Sequence, residues 1–223
     1  MTSGVCVARK ASADDPLRCA VLISGSGSGM EKLILHQQSN THCCHQTVVV
    51  ISDKKSAAGL AKAETLGINN SAIELPEIED ALQRRLSHES LITQAIEESG
   101  AELVILSGYM RILTPSFVER WSPNLVNIHP SLLPHFPGAD AHGQVIASEV
   151  EVSGCTVHFV DSGVDSGAII AQCRVPRFSD DDANSLALRV RVEEHRVYPQ
   201  VIDAIAQGRV FVEGGMVTVD GDL

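Results

Sequence analysis

"CAVLISGSGSGMEKLILHQQ", Cys19 to Gln38, is the stretch whose reading decides the fold class. "CAVLIS" is an apolar run of strand length. "SGSGSG" (Ser24 to Gly29) overlaps its end as a glycine turn, and "MEKLILHQQ" reads as a short helix. A buried strand, a tight turn and a helix open a strand–crossover unit. The same reading continues downstream. "TVVVIS" (47–52) is a β-branched strand, and "SAAGLAKAETLG" is a helix stopped at Gly67. "SAIEL" is a weak strand, "RRLSHESLITQAIEESG" an amphipathic helix closed by Gly100, and "AELVILSG" and "NLVNIH" are two more strands. Strand and helix alternate, which predicts a mostly parallel sheet with right-handed crossovers.

After Pro137 the pattern changes. "GADAHGQVIASEV" reads as helical, and "SGCTVHFVD" with "GAIIAQCRV" as a hairpin. Residues 181–208 form a long helical segment in which Pro199 predicts a kink or break. "RVFVEGGMVTVDG" reads as a last hairpin turning at Gly214–Gly215. No repeat, low-complexity tract or linker interrupts the chain. The expectation is one α/β domain over residues 18–223. Residues 1–17, with Arg9, Lys10, Asp14 and Asp15, read as a disordered extension without the apolar core of a signal peptide.

Composition narrows the function. The chain has 223 residues, 44% hydrophobic and 20% charged, enough for a self-sufficient core. A net charge of −11 argues against nucleic acid as a partner, because phosphate backbones need a basic face. No apolar run reaches membrane-spanning length. Six cysteines without a framework spacing predict free thiols in a reducing compartment, the cytoplasm.

Five local features have the residue types for chemistry. The "SGSGSG" loop brings backbone N–H groups to a helix N-terminus, a phosphate-binding geometry; as a dinucleotide fingerprint it is poor, though Asp53 after the next strand imitates a ribose-binding acid. An unliganded turn is its plain alternative. In "NLVNIHPSLLP" (124–134), Asn127 and His129 share one face of a strand that Pro130 must end, at the carboxyl edge where open α/β sheets hold ligands. "HFVDSGVDSG" (158–167) carries Asp161 and Asp165 in a loop that also reads as a simple polar turn. "HCCH" (42–45) crowds four metal-ligand types, but neighbouring residues on one loop do not reach one tetrahedral ion together, so no metal is expected. In "EEHRVYP" (193–199), Glu194 or His195 faces the glycine loop, or the segment is solvated helix charge.

Taken in order, "LISGSGSG", "GYMRIL", "VNIHPSLLPHFPG", "GCTVHFVDSGVDSG" and "RVRVEEHRVYP" resemble the phosphoribosylglycinamide formyltransferases from residue 22 to residue 199. The resemblance implies a Rossmann-like formyltransferase fold with a C-terminal hairpin. It implies transfer of the formyl group of 10-formyltetrahydrofolate to glycinamide ribonucleotide in purine biosynthesis, with no metal. Asn127, His129 and Asp165 match the family's catalytic residues, with His158 in support. Gly27, Ser28 and Gly29, with Arg191, Val192, Glu193 and Glu194, match the ribonucleotide site. Arg84 (with Arg85 as competitor), Met110, Arg111, Ile112, Leu113, Asn127 and the loop Asp161, Ser162, Gly163, Val164, Asp165 match the folate site. The expected partners are therefore the ribonucleotide and a reduced folate, with no nucleic acid and no membrane, in a monomer or weak homodimer. One departure stands out: the family often has Asn where this chain has Gly29. Its main-chain phosphate cradle is expected to survive that change.

Overall fold

The computed structural model describes residues 5–223. Its main sheet has seven strands in the order β4-β3-β2-β5-β6-β7-β8. These are β2 (Leu17–Ile23), β3 (His45–Ser52), β4 (Asn70–Ala72), β5 (Leu103–Leu106), β6 (Leu125–His129), β7 (Val152–Phe159) and β8 (Ile169–Pro176). The first five run parallel and β7 and β8 antiparallel, as the change of pattern after Pro137 predicts. The chain winds outward from β2 to β4, returns, and continues from β5 to β8. Winding therefore reverses between β2 and β5, and a crevice opens at their carboxyl ends, the usual ligand position in such sheets.

Among the described residues six helices flank the sheet: α1 (Ser28–Ser39), α2 (Ala58–Thr65), α3 (Ala81–Ser99), α4 (Pro115–Trp121), α5 (Ala141–Ala147) and α6 (Ala183–Ala206). The strand residues divide between two cores by alternation. Cys19, Val21 and Ile23 of β2 join Met30, Leu33 and Ile34 of α1 and Val197, Val201 and Ile202 of α6. Ala20 and Leu22 point the other way, to Ile92 and Ile96 of α3 and Phe117 of α4. With both faces covered, the central strands are apolar throughout, and this is why the sequence shows runs there rather than alternation.

Three features depart from the sequence reading. The segment read as disordered is ordered from Val5 on: β1 (Val5–Cys6) pairs with β9 (Val210–Glu213), which pairs in turn with β10 (Met216–Val219). Val7 and Ala11 are buried, and Arg9 bridges Asp15 at 2.9 Å and Glu102 at 2.6 Å. A polar, unperiodic segment carries little local signal; its order comes from the hairpin edge it covers. Residues 1–4 of that expected extension lie outside the described residues. Helix α4 was not read, although Thr114 caps it through Phe117 N–H and Pro115 opens it, a start signal visible in "LTPSF". Finally, α6 runs through Pro199 as one helix. Pro199 is buried and the helix sits in the core, which stabilises it where an isolated helix would break.

The loop after β6 is pinned by one hydroxyl. Thr156 of β7 donates from Oγ1 to the Ser131 carbonyl (2.7 Å) and accepts from Leu133 N–H (3.0 Å) and Gln172 Nε2 (2.9 Å). It is fully buried. Thr156→Val takes this partner from the Leu133 N–H and the Ser131 carbonyl, while Gln172 keeps its bond to the Leu133 carbonyl, so a loss of about 2 kcal/mol in urea unfolding is expected. A change below about 0.5 kcal/mol would show that the loop does not depend on this hydroxyl.

Candidate active site

A cleft of about 650 Å³ occupies the crevice. One wall is the glycine loop, one the segment 106–113, and the floor is the end of β6. The far side is the 160–165 loop and one face of α6.

Strand register builds its centre. β6 pairs antiparallel with β7, so Asn127 lies opposite His158 and His129 opposite Thr156. Asn127 Nδ2 is 3.2 Å from His158 Nε2 and donates to Asp165 Oδ1 at 3.5 Å. His158 donates from Nδ1 to the Phe159 carbonyl (2.8 Å), which leaves Nε2 as an acceptor for Asn127. His129 Nδ1 is 3.2 Å from Asp165 Oδ2, and its Nε2 is 2.9 Å from the Phe136 carbonyl. Both nitrogens of His129 thus face acceptors, which the imidazolium satisfies in full. Asp165 also accepts from Gly138 N–H at 2.8 Å. Its backbone is left-handed (φ 50°), a conformation Asp tolerates, and this turns the carboxylate inward. Burial favours the neutral acid here, but the Gly138 amide and the His129 ring outweigh it and bring the carboxyl down to about 2. The catalytic trio expected from sequence therefore meets in space, with His158 beside it.

The glycine loop stands at the N-terminus of α1. Gly27 caps the helix with φ 64°, and a Cβ there would lie 2.7 Å from Gly59 Cα, so a side chain is excluded on both grounds. At Gly29 a Cβ would lie 2.7 Å from Ser107 Oγ. The Ser107 hydroxyl already fills the space that a side chain at position 29 would take, which gives the departure at Gly29 a local reason.

The late helix contributes less than expected. Arg191 and Glu194 line the cleft, whereas Val192 and Glu193 do not. Val192 is 65% exposed, and Glu193 pairs with Arg196 on another face of the helix. Helical phase separates neighbours that a motif match joins. His195 does line the cleft, with Nε2 3.4 Å from Ser28 Oγ. Burial pushes the Glu194 carboxyl up to about 7, against the pull of Arg191. A carboxyl raised on folding binds a proton that the unfolded chain has lost, so its contribution falls as pH rises from about 4.5 to about 7. Glu194→Gln is expected to flatten the pH dependence of Tm across that window; an unchanged slope would contradict the burial argument.

The residues expected to meet the folate are mixed in placement. Met110, Arg111, Ile112 and Leu113 all line the cleft, with Met110 and Ile112 largely exposed. Arg111 Nε donates to Asp53 Oδ2 at 2.7 Å. Asp53 is buried in that pair and does not line the cleft, so it holds the 106–113 segment and is out of reach of a ribose hydroxyl there. Arg84 turns to the Ile78 carbonyl (3.0 Å) and away from the cleft. Arg85 donates to the Ile112 carbonyl (2.9 Å) and lines an adjoining cavity with Met110 to Leu113. Arg85, not Arg84, is thus the arginine that meets the segment 110–113. In the next loop Asp161, Gly163, Val164 and Asp165 line the cleft and Ser162 does not. Asp161 accepts from Gly163 N–H and Ser166 Oγ, the turn role left open by the sequence.

His142 of α5 was not anticipated. It lines the cleft, its Nδ1 is buried without a hydrogen-bond partner among the described residues, and burial and Arg191 hold the ring towards its neutral form. "GADAHG" offers no local signal for this.

A formyl transferase domain matches residues 17–202. The chain belongs to the formyl transferase family. A trifunctional purine biosynthetic protein adenosine-3 of Bos taurus is 42% identical over 86% of this chain, which spans only 19% of that protein's length. A phosphoribosylglycinamide formyltransferase of Escherichia coli is 36% identical over 92% of this chain and 94% of its own. A solved structure of glycinamide ribonucleotide transformylase 1 from Symbiobacterium toebii superposes with a TM-score of 0.86 at 36% identity, over 92% of this chain and 94% of that one. The mostly parallel seven-stranded sheet with its flanking helices is therefore the formyltransferase architecture.

Proposed function

We propose that this chain transfers the formyl group of 10-formyltetrahydrofolate to the amine of glycinamide ribonucleotide, giving formylglycinamide ribonucleotide and tetrahydrofolate. One observation carries the reading. Asn127, His129 and Asp165 converge midway along a cleft with a main-chain anion cradle on one side and an exposed apolar segment on the other. A phosphorylated amine and a flat, largely apolar formyl donor fit those two ends and meet at the trio.

The chemistry follows from the contacts. The neutral amine attacks the formyl carbon and a tetrahedral oxyanion forms. Asn127 releases its long 3.5 Å contact to Asp165 and donates that N–H to the oxyanion. His129 swings one donor from the Phe136 carbonyl to the same oxygen. The proton lost by the attacking nitrogen passes by way of Asp165, through water, to the leaving folate nitrogen, and the C–N bond to folate breaks. Glu194 as carboxylate, with Arg191, holds the ribonucleotide. Arg85 and Met110 to Leu113 hold the folate. No step uses a metal.

Residues 18–223 act as the catalytic domain, with the phosphate site in the first half and most of the folate site in the second. Six unpaired thiols support a reducing compartment, the cytoplasm. The deciding experiment mixes glycinamide ribonucleotide with 10-formyltetrahydrofolate and follows tetrahydrofolate release. Release that requires the ribonucleotide is expected. No release by folded protein, or release without the ribonucleotide, overturns the assignment.

A further inference from the structure

At the opposite end of the sheet from the cleft, four side chains from three elements converge. His36 lies in the last turn of α1 and Asp203 in the last turn of α6. Cys43 and His45 stand two residues apart at the entry to β3, so they project to one side. One donor atom from each lies within 4.8 Å of every other. His36 Nε2 is 2.8 Å from Asp203 Oδ2, His45 Nε2 is 3.0 Å from Oδ1, and Cys43 Sγ is 3.9 Å from the same oxygen. The two imidazoles stack at 6.0 Å with 17° between their planes. The His45 side chain is fully buried, while those of His36 and Asp203 are 30% and 20% exposed, so the cluster is walled on one side and open to an incoming ion on the other.

Two imidazole nitrogens, one sulfur and one carboxylate, drawn from separate segments, suit a closed tetrahedral zinc site. We propose that His36, Cys43, His45 and Asp203 form a structural zinc site that ties the far ends of α1 and α6 to the start of β3. The objection to "HCCH" as a site holds for four neighbours on one loop. It does not hold for Cys43 and His45 alone, once the fold adds a ligand from each helix. His42 is exposed and Cys44 turns to the His42 carbonyl, so neither takes part.

Protons must move on loading. Gln37 accepts from Thr47 N–H (3.0 Å) and its amide Nε2 donates to His45 Nδ1 (2.9 Å), so metal-free His45 carries its proton on Nε2, facing Asp203. Zinc takes Nε2, the His45 proton shifts to Nδ1, and the Gln37 amide turns so that its oxygen accepts it. Thr47 N–H gives up its acceptor, a small loss beside the affinity of a structural zinc. Cys43 coordinates as thiolate and its proton leaves to solvent.

Cobalt(II), which takes the same tetrahedral sites as zinc and absorbs visibly, is the probe. Titrating the full chain is expected to give a saturable one-to-one spectrum with a thiolate-to-cobalt band, displaced by zinc, and zinc is expected to raise Tm. Cys43→Ser removes the thiolate band, His36→Ala weakens zinc at least about tenfold, and His42→Ala changes neither. Gln37→Glu, whose carboxylate serves both Thr47 N–H and a protonated Nδ1, tightens zinc about tenfold. Formyl transfer by Cys43→Ser stays at the unsubstituted rate, which separates this test from that of the cleft. No saturable cobalt spectrum overturns the proposal. So does a thiolate band that persists in folded Cys43→Ser, or zinc affinity unaltered in both His36→Ala and Gln37→Glu.

Discussion

Asn127→Ala is expected to lower kcat about 10²–10³-fold with little change in KM for either substrate, the size of effect that follows loss of one oxyanion donor. The amide N–H to Asp165, at 3.5 Å, is the weakest bond in the trio and the one an oxyanion displaces most readily. Its other bond, to His158 Nε2, holds the amide plane in place, so the donor turns little when it passes from Asp165 to the oxyanion. That preorganisation makes the effect appear in kcat, because the bond strengthens only as charge develops. Asn127 is half-buried at the end of β6, and truncation there leaves the strand pairing intact, which circular dichroism and Tm check. Steady-state kcat within about tenfold of the unsubstituted chain would remove Asn127 from the mechanism.

Asp165→Asn is the second large effect, about 10²–10⁴ in kcat, the range for loss of a positioned proton-transfer group. Asn is the clean replacement because it tolerates the left-handed backbone at this position. It cannot satisfy the three groups that converge on the carboxylate: Gly138 N–H, His129 Nδ1 and Asn127 Nδ2. One of its two positions becomes an NH₂ facing a donor. His129→Ala removes the partner instead and is expected to cost a similar factor, and the double variant should lose little more than either single one. The pH sign is fixed by the depressed carboxyl. Its folded value, about 2, lies below the unfolded one, so its stabilisation is present above about 4 and disappears as pH falls towards 2. Acid unfolding of Asp165→Asn should lack that part of the transition. Full turnover by either single variant would refute the trio.

Much of this was legible in local sequence. The runs at 19–24, 47–52 and 101–108, each followed by glycine or helix formers, gave the parallel half of the sheet in its correct order along the chain. Alternation placed Asn127 with His129, and Pro130 placed them at a strand end. Local reading put both Asp161 and Asp165 among the candidates; the family resemblance singled out Asp165 and added His158. The misses have physical causes. Arg84 and Arg85 differ by one helical step, about 100° of rotation, and only the packing of α3 decides which of them meets the segment 110–113. The same rotation takes Val192 and Glu193 off the cleft and brings His195 in. Val5 and Cys6 form a strand because β9 offers an unpaired edge, a fact stored more than 200 residues away.

The sequence by itself determined the alternation of strand and helix, the glycine turn at the head of α1, and the point where β6 must stop, because each depends on neighbours within a few residues. Only the tertiary structure decided what meets what. Antiparallel register puts His158 across from Asn127, a left-handed loop turns Asp165 onto His129, and the ends of two helices bring His36 and Asp203 to Cys43 and His45. Those meetings depend on strand register and helix rotation. The packed core on both faces of the sheet sets these two quantities together, and no short stretch of the chain encodes them alone.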